Sequence, residues 1–313
     1  MKTATRVMLG LDLSSTDYTI LSYLSYFSEL LPIDKAYALH VNPGLELPAY
    51  AKHALEEEKF VPLDEQIKEL MQDRITKKLG KPDFAVDIDV QEGDVTEQML
   101  HWARVKQIDL TLVGQKAIHL GSGLAAKKLA RRSETDILFV PELNTPVLQT
   151  ILVPTDFSDD ATYALEKAIA LAREKQGQIK VHLLHVYEVP SNVHFELYRT
   201  KEQYESLFRD NVTAYCAQYL AGMDTEGVEL ETHFVQKSGL QSARQVIDVA
   251  DAIDADLIML GANGHSPVYS FLLGSFTEKL LSYNEGYPIW VLRKPETQAR
   301  LQEKTQQAGA VRS

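Results

Sequence analysis

The chain has 313 residues, 45% apolar and 24% charged, with 32 Lys+Arg against 44 Asp+Glu, a formal charge of −12 and a single cysteine, Cys216. The apolar fraction excludes a wholly disordered chain, and at roughly 100–200 residues per domain the length predicts about two domains. The acidic balance argues against nucleic acid as a partner, one cysteine excludes an intrachain disulfide, and no run of about 20 apolar residues marks a membrane span.

Along the chain, RVMLGLDLSSTDYTILSYLSYF from Arg6 reads as strand, turn and helix, and KAYALHV from Lys35 as a second strand. Asp12 interrupts the opening apolar stretch, so no export segment is expected and a reducing cytoplasm is the predicted location. A long charged segment from Leu47 to Gln72 follows, placed to cover a ligand-binding edge. VQEGDVTEQMLHWARVKQIDLTLVG then runs from Val90 to Gly114. Next, Gly121-Ser122-Gly123-Leu124-Ala125-Ala126 opens a helix on which Lys127, Lys128, Arg131 and Arg132 form a basic face, read as solvated and favoured by the carboxyl-end dipole. This run fits a G-x-G-x-x-A dinucleotide fingerprint, with Glu142 at 19 residues after Gly123, but seven steps separate it from Gly114 where a tight turn is needed. No Walker A loop occurs. A last strand spans 137–141, and PELNTPVLQ at 141–149 interrupts the apolar pattern as a domain boundary.

The pattern then starts again. TILVPTDFSDDATYALEKAIAL from Thr150 and KVHLLHV from Lys180 repeat the opening, with Asp156 placed 29 residues before His185 where Asp12 stands 28 before His40. The offset between copies is 144 at the aspartates, 145 at Val90 and Val235, and 147 at Gly114 and Gly261, so each copy is a whole domain rather than a solenoid repeat. The second copy predicts strands at 150–153, 180–187, 229–235, 256–261 and 288–292, and helices at 159–176, 195–222, 240–254 and 275–284. Alternating strands and helices predict an α/β fold: two tandem doubly wound domains, each a mostly parallel five-stranded sheet with helices on both faces, Rossmann-like and of the HUP type. The expected domains are 1–144 and 145–294, followed by a polar, Gln-rich tail at 295–313.

Ligands of such sheets sit beyond the carboxyl ends of the strands. After the first strand of the second copy come Pro154, Thr155 and Asp156, whose carboxylate suits an adenine amino group or a ribose hydroxyl; Ser158 or Asp159 is expected to cap the next helix. After the fourth come Gly261-Ala262-Asn263-Gly264-His265 and then Gly274-Ser275-Phe276-Thr277. Glycines allow close approach of backbone to ligand, and a helix opening at Gly274-Ser275 presents unpaired N–H groups to a phosphate, with Ser275 and Thr277 adding hydroxyls. His40 and His185 read as structural, Cys216 as buried packing, and His265 as a residue near the phosphates; no oriented general base is identifiable.

These residues resemble the universal stress protein family in its tandem form, over nearly all of 5–293. The family's ATP pattern is Gly, two residues, Gly, nine residues, Gly, then Ser or Thr, which Gly261, Gly264, Gly274 and Ser275 match; ILVPTDFS and LLHV are similar to family signatures. The resemblance implies ATP with adenine near Asp156 and against the backbone of Val186, ribose and phosphates on the glycine loop, and Mg²⁺ or Mn²⁺ bound through the phosphates. Gly274 to Pro288 is 14 residues, one more than the family pattern, with Asn284-Glu285-Gly286 in the gap. In the first copy Gly114 is followed by Gln115-Lys116-Ala117, and Leu124 replaces Ser275, so this domain is expected not to hold ATP in the family manner. The expected function is a cytoplasmic, nucleotide-responsive stress regulator with its live site in the second domain. Alternatives are a slow ATPase or phosphoryl or adenylyl transferase at the same site, and a scaffold without nucleotide. Pairing of the last strands, 137–141 and 288–292, would make the chain an intrachain pseudo-dimer; a homodimer of the whole chain is also compatible.

Overall fold

The computed structural model describes residues 4–44, 61–115, 123–189, 200–238, 242–264, 273–284 and 286–294. The chain divides into two units, Met1–Pro146 and Val147–Ser313.

In the first unit, β1 (Thr5–Gly10), α1 (Thr16–Ser28), β2 (Ile33–Asn42), α2 (Leu63–Leu79), β3 (Ala85–Glu92), α3 (Val95–Val105), β4 (Leu110–Gln115), α4 (Gly123–Arg132) and β5 (Asp136–Pro141) follow in order. All their strand pairings are parallel, in the spatial order β3-β2-β1-β4-β5. The path from β1 moves outward to β3, then crosses back to β4 and moves the other way. Right-handed crossovers therefore place α1 and α2 on one face and α3 and α4 on the other. Accordingly α1 packs with α2, and α3 with α4. Met8, Leu9, Leu112, Leu138 and Phe139 are fully buried, because a strand covered on both faces has no solvent side and its sequence becomes an unbroken apolar run.

The second unit repeats this topology with β6 (Thr150–Pro154), α5 (Asp159–Glu174), β7 (Lys180–Tyr187), α6 (Lys201–Ala221), β8 (Glu229–Gln236), α7 (Ser242–Ala252), β9 (Leu257–Gly261), α8 (Ser275–Tyr283) and β10 (Ile289–Leu292). Its strands are again parallel, in the order β10-β9-β6-β7-β8. The α/β, doubly wound architecture thus holds in each unit. Helix boundaries differ from the sequence expectation mainly at the ends. Helix α6 begins at Lys201, where Thr200 and Gln203 form a reciprocal capping box, and α8 stops one residue before Asn284. That asparagine accounts for the extra residue before the last strand: its Nδ2 donates to the Tyr287 carbonyl at 2.6 Å and its Oδ1 accepts the Tyr287 N–H at 2.9 Å, clamping a tight return into β10.

Candidate functional site

Strands β6 and β9 are neighbours from which the connections leave in opposite directions, which opens a crevice at their carboxyl edge. The Thr155 N–H continues the ladder by donating to the Leu184 carbonyl at 2.8 Å, but β6 then turns away while β7 runs on to Tyr187. In a parallel strand, residues two apart present their N–H and C=O to the same neighbour. Val186 therefore directs its backbone groups to the same side as Leu184, into the space that β6 has vacated.

The turn after β6 is held by its own side chains. Thr155 Oγ1 accepts the Phe157 N–H at 2.9 Å and Asp156 Oδ1 accepts the Ser158 N–H at 3.0 Å. Between them Phe157 sits at a φ of 63°, a left-handed conformation costing about 1–2 kcal/mol in a residue with a Cβ. Its ring is held 4.6 Å from His185, 4.9 Å from Tyr215 and 5.1 Å from Tyr219. His185 Nδ1–H donates to the Thr155 carbonyl at 2.8 Å, so this histidine orients the turn. Ser158 is the helix cap, accepting the Ala161 N–H. Asp156 is thereby left with its second carboxylate oxygen against the glycine loop: a Cβ on Gly264 would lie 2.6 Å from Oδ2.

On the β9 side, a Cβ at Gly261 would lie 2.6 Å from the backbone carbon of Asp160, so α5 reaches the strand only because that position has no side chain. Asp160, 5% exposed, anchors the loop: its Oδ2 accepts from the Asn263 N–H at 3.1 Å and from Nδ2 at 2.9 Å, and its Oδ1 from the Lys294 N–H at 3.4 Å. Burial pushes the Asp160 carboxyl above the usual carboxylate range, and the Asn263 and Lys294 donors oppose that shift in part. The far end of the loop is tied by the Gly274 N–H donating to the Ala262 carbonyl at 2.8 Å. Gly274 is the N-cap of α8 and supplies no side-chain acceptor, so the first-turn N–H groups of α8 lack a cap from that residue. Thr277 Oγ1 donates to the Gly261 carbonyl at 3.1 Å, which commits its proton to tying α8 to β9.

These elements enclose an open cleft of about 210 Å³. Of the residues singled out in the sequence, Pro154, Thr155, Asp156, Val186, Gly261, Gly264, Gly274, Phe276 and Thr277 line it. Ser275 does not; it opens α8 with an exposed side chain. His265 lies outside the described residues. Sequence reasoning missed Asp160 and Asn263, and also the apolar floor from Leu184, Val246 and Leu260. An acidic residue in a first helical turn reads as a dipole partner, and nothing in the spacing signals its contact across 103 residues.

The first unit retains the turn and loses the anchor. Leu13 repeats the left-handed φ at 64°, Asp12 Oδ1 accepts the Ser14 N–H at 3.0 Å, and His40 Nδ1–H donates to the Leu11 carbonyl at 2.9 Å. At the place equivalent to Asp160 stands Thr16, buried, with no partner for its hydroxyl among the described residues. Arg74 from α2 braces the turn instead, donating to the Ser14 carbonyl and to Asp17 Oδ2, both at 2.7 Å. The cavity here, about 210 Å³, is bordered by Leu11, Asp12, Val95, Met99 and Val113. Gln115 ends β4; Lys116 and Ala117 lie outside the described residues.

A family model described as the universal stress protein family matches residues 148–284. A universal stress protein of Methanocaldococcus jannaschii is 27% identical over 146 residues, covering 47% of this chain and 82% of that protein. Among solved structures, a universal stress protein from Archaeoglobus fulgidus covers 92% of this chain and 96% of its own, with a TM-score of 0.59 and 16% identity. A protein of unknown function from Pseudomonas aeruginosa covers 97% and 98%, with a TM-score of 0.62 and 13% identity. The two structures share the fold over both units. Among the described residues no helix is long and apolar enough to cross a membrane. Over residues 148–284, the chain is thus similar to the universal stress protein family.

Proposed function

We propose that the second unit binds ATP and that the protein acts as a cytoplasmic, nucleotide-responsive stress regulator. The observation that carries this reading is the meeting, in one cleft, of the Asp156 carboxylate, the side-chain-free edge of Gly264 and the uncapped start of α8 at Gly274. Adenine fits the apolar floor of Leu184, Val246 and Leu260, with the Val186 backbone facing its edge. Asp156 is placed to accept from the adenine amino group or a ribose hydroxyl. Phosphates suit the first turn of α8, where backbone N–H groups and the helix dipole favour an anion. Among the described residues no carboxylate cluster stands in this cleft, so Mg²⁺ or Mn²⁺ would enter with the phosphates. The first unit, lacking the Asp160–Asn263 anchor, serves as a partner without family-type ATP binding.

Nucleotide extraction from the purified chain, with ATP and Mg²⁺ calorimetry on wild type and Gly274→Val, tests this. A Cβ at Gly274 already lies 3.2 Å from the Ala262 carbonyl oxygen, so the branched side chain displaces the loop from the helix start. One nucleotide per chain, lost in the variant, is the expected result. Two per chain would refute the assignment to the second unit, and none would refute nucleotide binding altogether. ADP formed from added ATP at the same stoichiometry would identify the site as hydrolytic.

A further inference from the structure

On the outer pair of strands in the second unit, the register sets His182 of β7 beside Glu231 of β8 and Leu184 beside His233. Positions two apart on a strand share a face, so His182, Glu231 and His233 project together from one face of the sheet. His182 Nδ1 and His233 Nε2 are 2.7 Å apart, with the rings stacked at 21° and centroids 5.0 Å apart. Glu231 Oε1 lies 3.8 Å from the same His233 nitrogen, and one ligand atom from each residue fits within 4.8 Å of the others. Lys180 holds the other carboxylate oxygen, Oε2, at 2.8 Å and Glu229 at 3.0 Å, so the Glu231 carboxylate is gripped from behind with Oε1 turned to the imidazoles. His182 is 5% exposed, whereas the His233 and Glu231 side chains reach solvent, giving an entry path. None of the three lines the nucleotide cleft.

We propose that His182, His233 and Glu231 form a binding site for a zinc-type transition-metal dication on the β7–β8 face. Two imidazole nitrogens and one carboxylate oxygen are the donor set of borderline metals, whereas Mg²⁺ and Ca²⁺ favour oxygen donors alone. Three protein ligands leave the fourth tetrahedral position to water. At a metal–nitrogen distance of about 2.0–2.1 Å, a tetrahedral site needs its two nitrogens about 3.3 Å apart. The rings must therefore separate by about 0.6 Å, a movement within reach of the partly exposed His233 ring. In the metal-free pair one of the two facing nitrogens carries a proton and donates to the other. The dication replaces that proton, which moves to the outer nitrogen of the same ring.

Zn²⁺ titrated by calorimetry into the tag-free, chelator-stripped full chain is the direct test, with His233→Ala and Glu231→Gln as variants and circular dichroism as the fold control. His233 is only partly buried, so its truncation spares the core that loss of His182 would disturb. The expected result is one Zn²⁺ per chain, weakened at least about tenfold by His233→Ala and by a smaller factor by Glu231→Gln, with no heat from Mg²⁺ in the absence of nucleotide. Equal Zn²⁺ affinity in wild type and His233→Ala would overturn the proposal, as would a wild type that takes up no Zn²⁺ at micromolar concentrations. Neither reading depends on the Gly274→Val experiment, so this site and the nucleotide site fail independently.

Discussion

Adding one methyl group at Gly261 should cost more than adding it at the equivalent Gly114, although both glycines stand at or next to the end of the fourth strand of their unit. At Gly261 the new Cβ meets backbone: the Asp160 carbonyl carbon at 2.6 Å and the Ala161 nitrogen at 2.7 Å. Ordinary contacts begin near 3.4 Å, so the start of α5 must retreat by about 0.8 Å, a shift that overpacked cores resist at about 1–3 kcal/mol. Alanine recovers about 0.5–1 kcal/mol of backbone entropy in a strand, leaving a net cost of about 1–2 kcal/mol. At Gly114 the obstacle is the Thr16 Cγ2 methyl at 2.5 Å, which a side-chain rotation can move aside, and the net cost falls below about 1 kcal/mol. For a unit of this size, 1 kcal/mol corresponds to about 2–4 °C in melting temperature. Scanning calorimetry, with hydrogen exchange to assign each transition to its unit, should show the second unit of Gly261→Ala melting lower by about 2–8 °C. Equal penalties at the two glycines would show that the close approach of α5 to β9 is not a constraint on the fold.

Asp160→Ala should weaken ATP binding about tenfold or more without removing a residue that lines the cleft, because Asn263 loses the acceptor for its N–H and Nδ2; the unpaired donors also cost about 1–3 kcal/mol in unfolding experiments. Asp17 carries a pH signature. Burial raises its folded-state pKa above 3.8 against the pull of the Asp12 N–H and Arg74, so just above 3.8 the folded chain binds the proton more tightly than the unfolded chain. Stability from this group therefore falls as pH rises through that window, and urea unfolding should show wild type gaining on Asp17→Asn as pH drops from 7 towards 4. Cys216 is 2% exposed and its thiol is pushed up by burial, so a thiol reagent should modify it only at the rate at which α6 opens; labelling on the seconds scale in native buffer would contradict that packing.

What a sequence displays best is what repeats. Asp12 and Asp156, and His40 and His185, are legible as equivalents because each sits a fixed distance from a strand end, and the structure gives the members of each pair the same local geometry. The strand-end rule likewise leads from Pro154, Asp156 and the glycines to a single cleft, since in a parallel sheet the carboxyl edge is fixed by connectivity alone. Contacts set by register between distant segments leave no such trace. His182 and His233 meet because β7 and β8 align Leu184 with His233, and a slip of one residue would send one of them to the opposite face. Asp160 and Arg74 escape notice for a related reason: each is an ordinary charged helix residue until folding brings Asn263, 103 positions on, or Ser14, 60 positions back, within hydrogen-bond reach. The divergence of the two units follows from these hidden contacts. Both keep the turn after the first strand, with Leu13 and Phe157 in the same left-handed conformation, so the backbone that could receive a ligand is retained in each. Only the second keeps a carboxylate at the position that ties the fourth-strand loop to the first helix. In the first, Thr16 is too short for that task and Arg74 braces the turn from the other side, which makes that edge of the first unit a structural one.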